Sequence, residues 1–558
     1  EAKDILNPDM VADTISKIIQ IPRERIKKSM LYPTSPLHEP SVIFSDLSMV
    51  NVIKISEQLY RLPGVDIKTF PVRHYTHDSL ACHLLGYTGQ ITEKDYEILK
   101  DKGYNLNDEI GKIGVEEAYE NYLRGTPGGR QVQVNSLGHL DKILGEKSPV
   151  KGSDIYLTLN LKMQKTLEEA FQDKKGAGII MEVKTGNILA MTSHPSFDPN
   201  VFSTGNSEII KQYFTDPAFP LLNKVVSGEY SPGSVYKPIM AMAGLESKTI
   251  TDQTSFFCNG EFHLKNVVFK CWNKWGHGET NLSRALEQSC NVFFYNVGKE
   301  MGINPIKDMS IKFGLGAKTR IPLLGEKEGL VPSPEWKQKQ MKDRYAKKWN
   351  LGDTINISIG QGYLLVTPIQ MACLTAAIAS RGYLPAPHLL KKVIDPNGKA
   401  VTIPVPDPPR KININVEYLD KVREGMLNVI EAKRGTGRLA RLKGVHSAGK
   451  TGTVQVTKRK GEIKNVWFIC FSPYENPQIA VTIFIENAES GGQDAAPVAK
   501  KVLAAWHHIP LPREKETGGE QISSESGADL DGAPPIVAMD PEEGSLQLED
   551  ESPPSSLP

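Results

Sequence analysis

Ser234 and Lys237 stand three positions apart in the stretch Tyr230-Ser-Pro-Gly-Ser-Val-Tyr-Lys-Pro238. Pro232 and Gly233 interrupt whatever precedes them, and Met240, Met242 and Leu245 continue a run compatible with helix. The spacing puts hydroxyl and amine on one face of a helix start, so a nucleophile has a base in reach. Pro238 fits, because a first turn tolerates proline. The pair alone says little, since Ser148–Lys151 and Ser447–Lys450 repeat it. The first copy contains Pro149 inside the polar run Gly145–Asp154, which reads as linker; the second contains Gly449 and runs into a strand. Two further short strings follow Ser234 in the chain: Ser289-Cys-Asn291, and then Lys450-Thr-Gly-Thr453, which opens a strand. Lys184-Thr-Gly186 precedes the serine and joins two strands, so it is a chance copy. Lys237 can take a proton only when neutral, and desolvation together with the cationic Lys450 is the physical route to that state.

A second constellation is Cys258, Cys271, His277 and Cys290, spaced Cys-x12-Cys-x5-His-x12-Cys. Three thiolates and one imidazole make a closed structural zinc set, and zinc is the favoured reading. The alternative is a disulfide in an oxidising compartment, such as Cys258–Cys271, with His277 merely packed. Cys290 lies between Ser289 and Asn291, so a metal there would brace the backbone of that string from behind. Cys82, Cys373 and Cys470 sit in apolar contexts and read as buried thiols.

These groups need elements to hold them. Ile155–Asn160 alternates like a strand, Leu161–Phe171 has helical period, and strands follow at Gly176–Glu182 and Asn187–Thr192. Mixed helical stretches fill 234–450; Thr453–Thr457, Asn465–Phe471 and Gln478–Glu486 add three strands before a helix over Asp494–His507. Strands grouped at both ends, free to pair in one sheet with helices around it, predict an α+β fold. Residues 1–150 predict a polar scaffold or docking domain without a catalytic cluster, with helices at Asp9–Ile19, Asp46–Arg61, Ser79–Leu85 and Glu117–Arg124. A catalytic domain over 151–510 and a tail over 511–558 complete the expected organisation. From Arg513 on, twelve acidic residues face two basic ones, a net −10; against the chain total of +1 the remaining body carries +11. Low hydrophobicity and high charge predict disorder for that tail. The balanced overall charge implies no nucleic-acid partner. No apolar run nears the roughly 18–20 residues of a membrane helix. The chain begins with Glu1, which reads as a fragment or processed form whose upstream signal or anchor is not seen.

The flanks of the three strings carry a resemblance. Tyr230–Pro238, Ser358-Ile-Gly-Gln-Gly-Tyr363 with Thr367-Pro-Ile-Gln-Met371, and Lys450-Thr-Gly-Thr-Val-Gln455 resemble class B penicillin-binding proteins, most of all the elongation-type penicillin-binding protein 2. Arg73-His-Tyr75, His83-Leu-Leu-Gly-Tyr87 and Gly114-Val-Glu116 with Leu123-Arg-Gly125 are similar to that family's pedestal domain, so the resemblance spans roughly 40–510. It implies a serine peptidoglycan D,D-transpeptidase that cross-links stem peptides, is blocked by β-lactams and needs no catalytic cofactor. Ser234 would be the nucleophile and Lys237 the base; Ser289 would relay a proton, Asn291 would hold Lys237 and the substrate amide, and Lys450, Thr451, Gly452 and Thr453 would receive the substrate carboxylate. The N–H groups of Ser234 and Thr453 would form the oxyanion hole. Some relatives hold a metal with Asp, Asp, His and Cys in this region. His277 and Cys290 match that spacing, Cys271 falls on the second Asp, and Cys258 lies two residues off the first. Implied partners are lipid II-derived glycan, a SEDS-type, RodA-like glycosyltransferase and an MreC-like rod-shape scaffold, with a cytoplasmic-membrane anchor and a periplasmic catalytic domain. Competing readings are a division-type class B enzyme, disfavoured by the zinc-type cluster and Gln361, and a β-lactam sensor, disfavoured by the pedestal. A β-lactamase is the third, because Glu424-Gly-Met-Leu-Asn428 matches a deacylating string, though its context resembles the helix before the third motif.

Overall fold

The computed structural model describes residues 5, 7–31, 43–44, 47–69, 72–106, 108–134, 140–458 and 461–512. The tail expected to be disordered lies, from residue 513, outside them. In the N-terminal region the helix Pro8–Ile19 is capped by Asn7, whose Oδ1 accepts the Met10 N–H. Val11, Ala12 and Ile15 pack with Ile26 of Arg23–Leu31 and Ile55 of Met49–Ser56. The long helix expected over Asp46–Arg61 is shorter, because Ser48 caps it at Met49 and a 3-10 turn takes Leu59–Arg61. The helix expected over Glu117–Arg124 begins earlier and splits into Gly114–Ala118 and Glu120–Leu123 at Tyr119. A hairpin pairs Gly129–Val134 with Leu140–Lys147, so part of the stretch expected as linker is strand. Residues 142–150 are exposed, which left no apolar alternation to read.

From residue 161 most elements run as the sequence predicts, but short strands between 255 and 281 and between 383 and 411 interrupt the stretch expected as mixed helix. α1 (Leu161–Phe171) leads into the hairpin β1 (Gly176–Glu182) and β2 (Ile188–His194). α2 (Lys237–Glu246) precedes four short strands, β3 (Ser255–Cys258), β4 (Glu261–Leu264), β5 (Val267–Lys270) and β6 (Gly278–Asn281), paired β3 with β6 and β4 with β5. Helices α3 (Leu282–Glu287), α4 (Asn291–Met301), α5 (Leu351–Ile357), α6 (Pro368–Ala379) and α7 (Val416–Glu431) follow. The chain then returns through β7 (Ala448–Lys458), β8 (Gly461–Ser472) and β9 (Ile479–Ile485) to α8 (Ala496–Trp506).

The early and late strands do meet. One antiparallel sheet of order β7-β8-β9-β1-β2 joins them, with Ile479 of β9 opposite Glu182 of β1. The period of two sorts side chains into two cores. Trp467, Ile469 and Phe471 of β8 face the core that holds the wholly buried α6, whereas Val466, Phe468 and Cys470 face α1 and α8. Both faces are covered, which is why β9 is buried at every position and reads as a continuous apolar run.

Helix approach around the motifs depends on one glycine in particular. A Cβ on Gly298 of α4 would lie 1.8 Å from Ser358 Oγ, just beyond α5. Alanine there raises helix propensity, worth about 1 kcal/mol of stabilisation. Overpacking costs about 1–3 kcal/mol and should win. We expect Gly298→Ala to lower the urea midpoint; an unchanged or raised midpoint would show that the two helices have slack.

Candidate active site

Ser234 lies on a 3-10 turn, Gly233–Tyr236, and Lys237 opens α2 behind it, so the first turn is tighter than the regular helix expected. Several contacts fix this turn. Tyr230 N–H and Val366 N–H each donate to the other's carbonyl at 2.9 Å, Gly233 N–H donates to Gly360 O at 2.8 Å, and the Trp467 indole donates to Ser231 O at 3.0 Å. Gly233 has φ +56°, and a Cβ on Gly360 would stand 2.1 Å from Gly233 O; the turn and the Ser358–Gly362 segment touch backbone to backbone. Ser234 is partly exposed while Gly233, Val235 and Tyr236 are buried.

Lys237 is fully buried. Its Nζ donates to Ser289 O at 2.8 Å, to Asn291 Oδ1 at 2.7 Å and to Ser289 Oγ at 3.2 Å, and lies 5.5 Å from the Phe294 ring centroid. Burial pulls its pKa down to about 8, opposed by the Coulombic pull of the neighbouring cysteine cluster, Cys271 first. Lys450 of β7 is equally buried, with Nζ donating to Thr451 O at 3.1 Å. Its amine is held well below the usual lysine range, first by burial and then by the Lys237 charge. The expected repulsion between the two lysines therefore falls on Lys450, and desolvation is what lowers Lys237.

Ser289 joins α3 to α4 with φ +55°, an uncommon conformation for a residue with a side chain, held as Cys290 N–H donates to Ala285 O at 3.0 Å. Asn291 begins α4 and its Nδ2 donates to Lys270 O at 3.3 Å. Across the site, β7 is an edge strand that pairs only with β8 among the described residues. Its Thr451 Oγ1 lies 2.7 Å from Thr436 Oγ1, and Thr453 Oγ1 accepts from Gly491 N–H at 3.3 Å. A Cβ on Gly452 would come within 3.0 Å of Pro232 O, so a side chain there would press β7 away from the serine turn.

The four metal candidates also converge. Their ligand atoms all lie within 4.8 Å of one another and all four residues are buried. His277 Nδ1 lies 3.5 Å from Cys258 Sγ and 3.6 Å from Cys271 Sγ, and Asn291 N–H points at Cys271 Sγ at 3.4 Å. All six cysteines are free, so the alternative Cys258–Cys271 disulfide is not made. Hydrogen bonds from Cys290, His277 and neighbouring N–H groups bring the Cys258 thiol down to about 6 and the Cys271 thiol to about 3; Cys290 keeps its proton. A zinc tetrahedron with bonds of about 2.3 Å needs sulfurs about 3.8 Å apart, and this buried, thiolate-forming set fits it. Cys258, two residues off the relatives' pattern, is brought in with the rest.

Glu424 is exposed on α7, whose buried face carries Leu419, Val422, Met426 and Val429. Thr436, Phe294 and Gly360 were not singled out by sequence reasoning. Gly360 lies inside the flanking string Ser358–Tyr363, and Thr436 stands between two glycines, Gly435 and Gly437, ahead of the third motif; for Phe294 the sequence offers no signal beyond helical spacing.

The model of the penicillin binding protein transpeptidase domain matches residues 176–504, and that of the penicillin-binding protein dimerisation domain matches 2–157. Peptidoglycan D,D-transpeptidase MrdA of Acinetobacter baumannii is 37% identical over 522 residues, covering 90% of this chain and 76% of that one. Among solved structures, Pseudomonas aeruginosa PBP2 in complex with WCK 5153 superposes with TM-score 0.68 at 35% identity, covering 80% of this chain and 93% of that one. Helicobacter pylori PBP2 in complex with MreC gives 0.76 at 28% identity, covering 90% and 92%. With the ordered motifs gathered at one site, these matches place the chain in the class B penicillin-binding proteins, as a peptidoglycan D,D-transpeptidase of the elongation-type penicillin-binding protein 2 group.

Proposed function

We propose that Ser234 is the acylated nucleophile of this transpeptidase and that neutral Lys237 takes its proton. The observation that carries the reading is the buried Lys237 amine, lowered to about 8 and held between Ser289 and Asn291. Ser234 Oγ attacks the carbonyl carbon of the penultimate D-Ala of a stem peptide, and its proton goes to Lys237 Nζ. The oxyanion faces the N–H groups of Ser234 and Thr453, where one such donor is worth ~3 kcal/mol. As the C–N bond breaks, Ser289 passes its proton to the departing D-Ala amine and takes one back from Lys237, leaving a Ser234 ester and a neutral Lys237. An amine of a neighbouring stem peptide then attacks the ester and gives its proton through Ser289 to Lys237, which passes it to Ser234 Oγ as the ester C–O bond breaks. Lys450, Thr451, Gly452 and Thr453 receive the terminal carboxylate, for which the N–H and hydroxyl donors along the edge of β7 are suited.

Cys258, Cys271, His277 and Cys290 are proposed to hold a structural zinc. When bound, it would balance the thiolate charge that favours protonated Lys237 and would pin Cys290, and with it the strained Ser289 backbone. The division of labour we infer is a pedestal over 1–150 and a catalytic domain over 151–510. No helix among the described residues is long and apolar enough to cross a membrane. By the behaviour of this group we place the enzyme at the periplasmic face of the cytoplasmic membrane, in lateral wall elongation. Its partners would be a SEDS-type glycosyltransferase and an MreC-like scaffold, the latter supported by the Helicobacter pylori complex. The exposure of Glu424 gives no support to water-driven deacylation.

Mass spectrometry of the protein with benzylpenicillin over time should reveal a lasting adduct on Ser234 that Ser234→Ala lacks; rapid loss of the adduct would mean a β-lactamase instead. The second-order rate of acylation should climb about tenfold per pH unit below pH 8 and level off above it, because Lys237 is a base only once it has lost its proton. A flat profile between pH 6 and 9, measured by stopped flow, would remove Lys237 from that role. Cys271→Ser or chelation should reduce Tm by about 5 °C or more and slow acylation. If both stay put on metal removal, the zinc brace is wrong.

A further inference from the structure

The loop from Cys271 to His277 is held at both ends by the Cys/His cluster, yet it turns two indoles to solvent. Trp272 is 61% exposed and Trp275 83% exposed, unusual for the largest aromatic side chain. Mobility does not explain this. Asn273 Nδ2 donates to Gly276 O at 2.6 Å, and Trp275 N–H donates to Asn273 Oδ1 at 3.1 Å. A Cβ on Gly276 would stand 2.1 Å from Cys258 O, so the loop lies tight against β3. The Trp272 indole N–H is spent on Gln288 O at 3.0 Å, which fixes its ring one residue away from Ser289. The Lys274 ammonium lies 5.2 Å from the Trp275 ring centroid, over one face, and leaves the other to solvent.

We propose that the free face of Trp275, on the loop that Trp272 anchors beside the second motif, is a platform for a pyranose ring of the glycan strand that carries the stem peptide. The inference rests on the transpeptidase reading above and adds a subsite to it. A stem peptide of about five residues spans at most about 17 Å when extended. Its sugar must therefore lie within that reach of the scissile bond, and this loop adjoins the second of the three motifs through the Trp272–Gln288 contact. The indole face carries the negative side of a ring quadrupole, and the axial C–H groups of a pyranose present a weakly positive apolar face to it. The hydroxyl and acetamido groups around the ring's rim stay in water. A rigid, solvated, amphipathic surface suits that ligand at little cost in lost side-chain freedom.

The test compares two probes, N-acetylglucosaminyl-N-acetylmuramyl-pentapeptide and the same pentapeptide without sugar, for protection of Ser234 from a fluorescent penicillin. In the unmodified protein the sugar-bearing probe should protect about fivefold more tightly, the size of a single stacking contact. Trp275→Ala should bring the two probes to parity while leaving acylation in the absence of peptide, Tm and zinc content unchanged; Trp275→Tyr should recover part of the preference. Parity in the unmodified protein, or a preference that survives Trp275→Ala, overturns the platform. So does an equal loss for both probes. If Trp275→Ala instead weakens only binding of the glycosyltransferase or scaffold protein, the surface serves a protein partner and the glycan assignment falls. A protein that penicillin does not acylate at all refutes the transpeptidase reading itself, and the platform with it.

Discussion

Two primary amines removed from water within one site are the constraint on which the other features depend. An ammonium stripped of solvent must be paired, hydrogen-bonded or neutral. Among the described residues no carboxylate pairs with Lys237 or Lys450; oxygen acceptors surround Lys237 instead. Three acceptors suit an ammonium with three N–H groups, whereas a neutral amine has two and a lone pair. When Lys237 gives up its proton, one contact must reverse, and the longest, to Ser289 Oγ at 3.2 Å, involves the only acceptor that is also a donor. The arrangement thus links the lysine's protonation to the direction of the Ser289 hydroxyl.

Such an arrangement tolerates little positional error, and the frame reflects that. The serine turn is tied to Val366 and Gly360 on one side and to Trp467 of β8 on the other, so the sheet and the helical layer both fix it. Glycines at 233, 360 and 452 let backbone meet backbone where side chains would hold the pieces apart. The Cys/His cluster closes the third side, reaching Asn291 through Cys271 and the Ser289 backbone through Cys290.

Much of this was legible in the residues. The sheet strands declared themselves by apolar runs, since both faces are covered, and Leu161–Phe171 and Gly176–Glu182 fell at the expected bounds. The exposed hairpin at Leu140–Lys147 did not, because a solvated strand has no buried face to leave a pattern. At the site, the three motif strings and the Cys/His spacing led to residues that do converge. The tight 3-10 turn at Ser234 was invisible, being fixed by contact with Gly360 far along the chain, and so was the φ of Ser289, a left-handed helix-end turn closed locally onto Ala285 that falls on serine instead of the glycine that would have signalled it. The division of burden between the lysines was likewise hidden, as it depends on depth and not on order along the chain.

The edge position of β7 has a consequence for how such a site can change. A strand edge recognises a partner through amide and carbonyl groups that every peptide shares, and the side chains proposed to act from β7 add contacts only to a terminal carboxylate. Selection acting on β7 residues therefore has few handles with which to tell a natural peptide from a small mimic of the same backbone. Escape from such a mimic must come from slower approach or from altered rigidity around the turn. Changes of that kind cost the native reaction too, which ties the evolvability of the site to its stability margin.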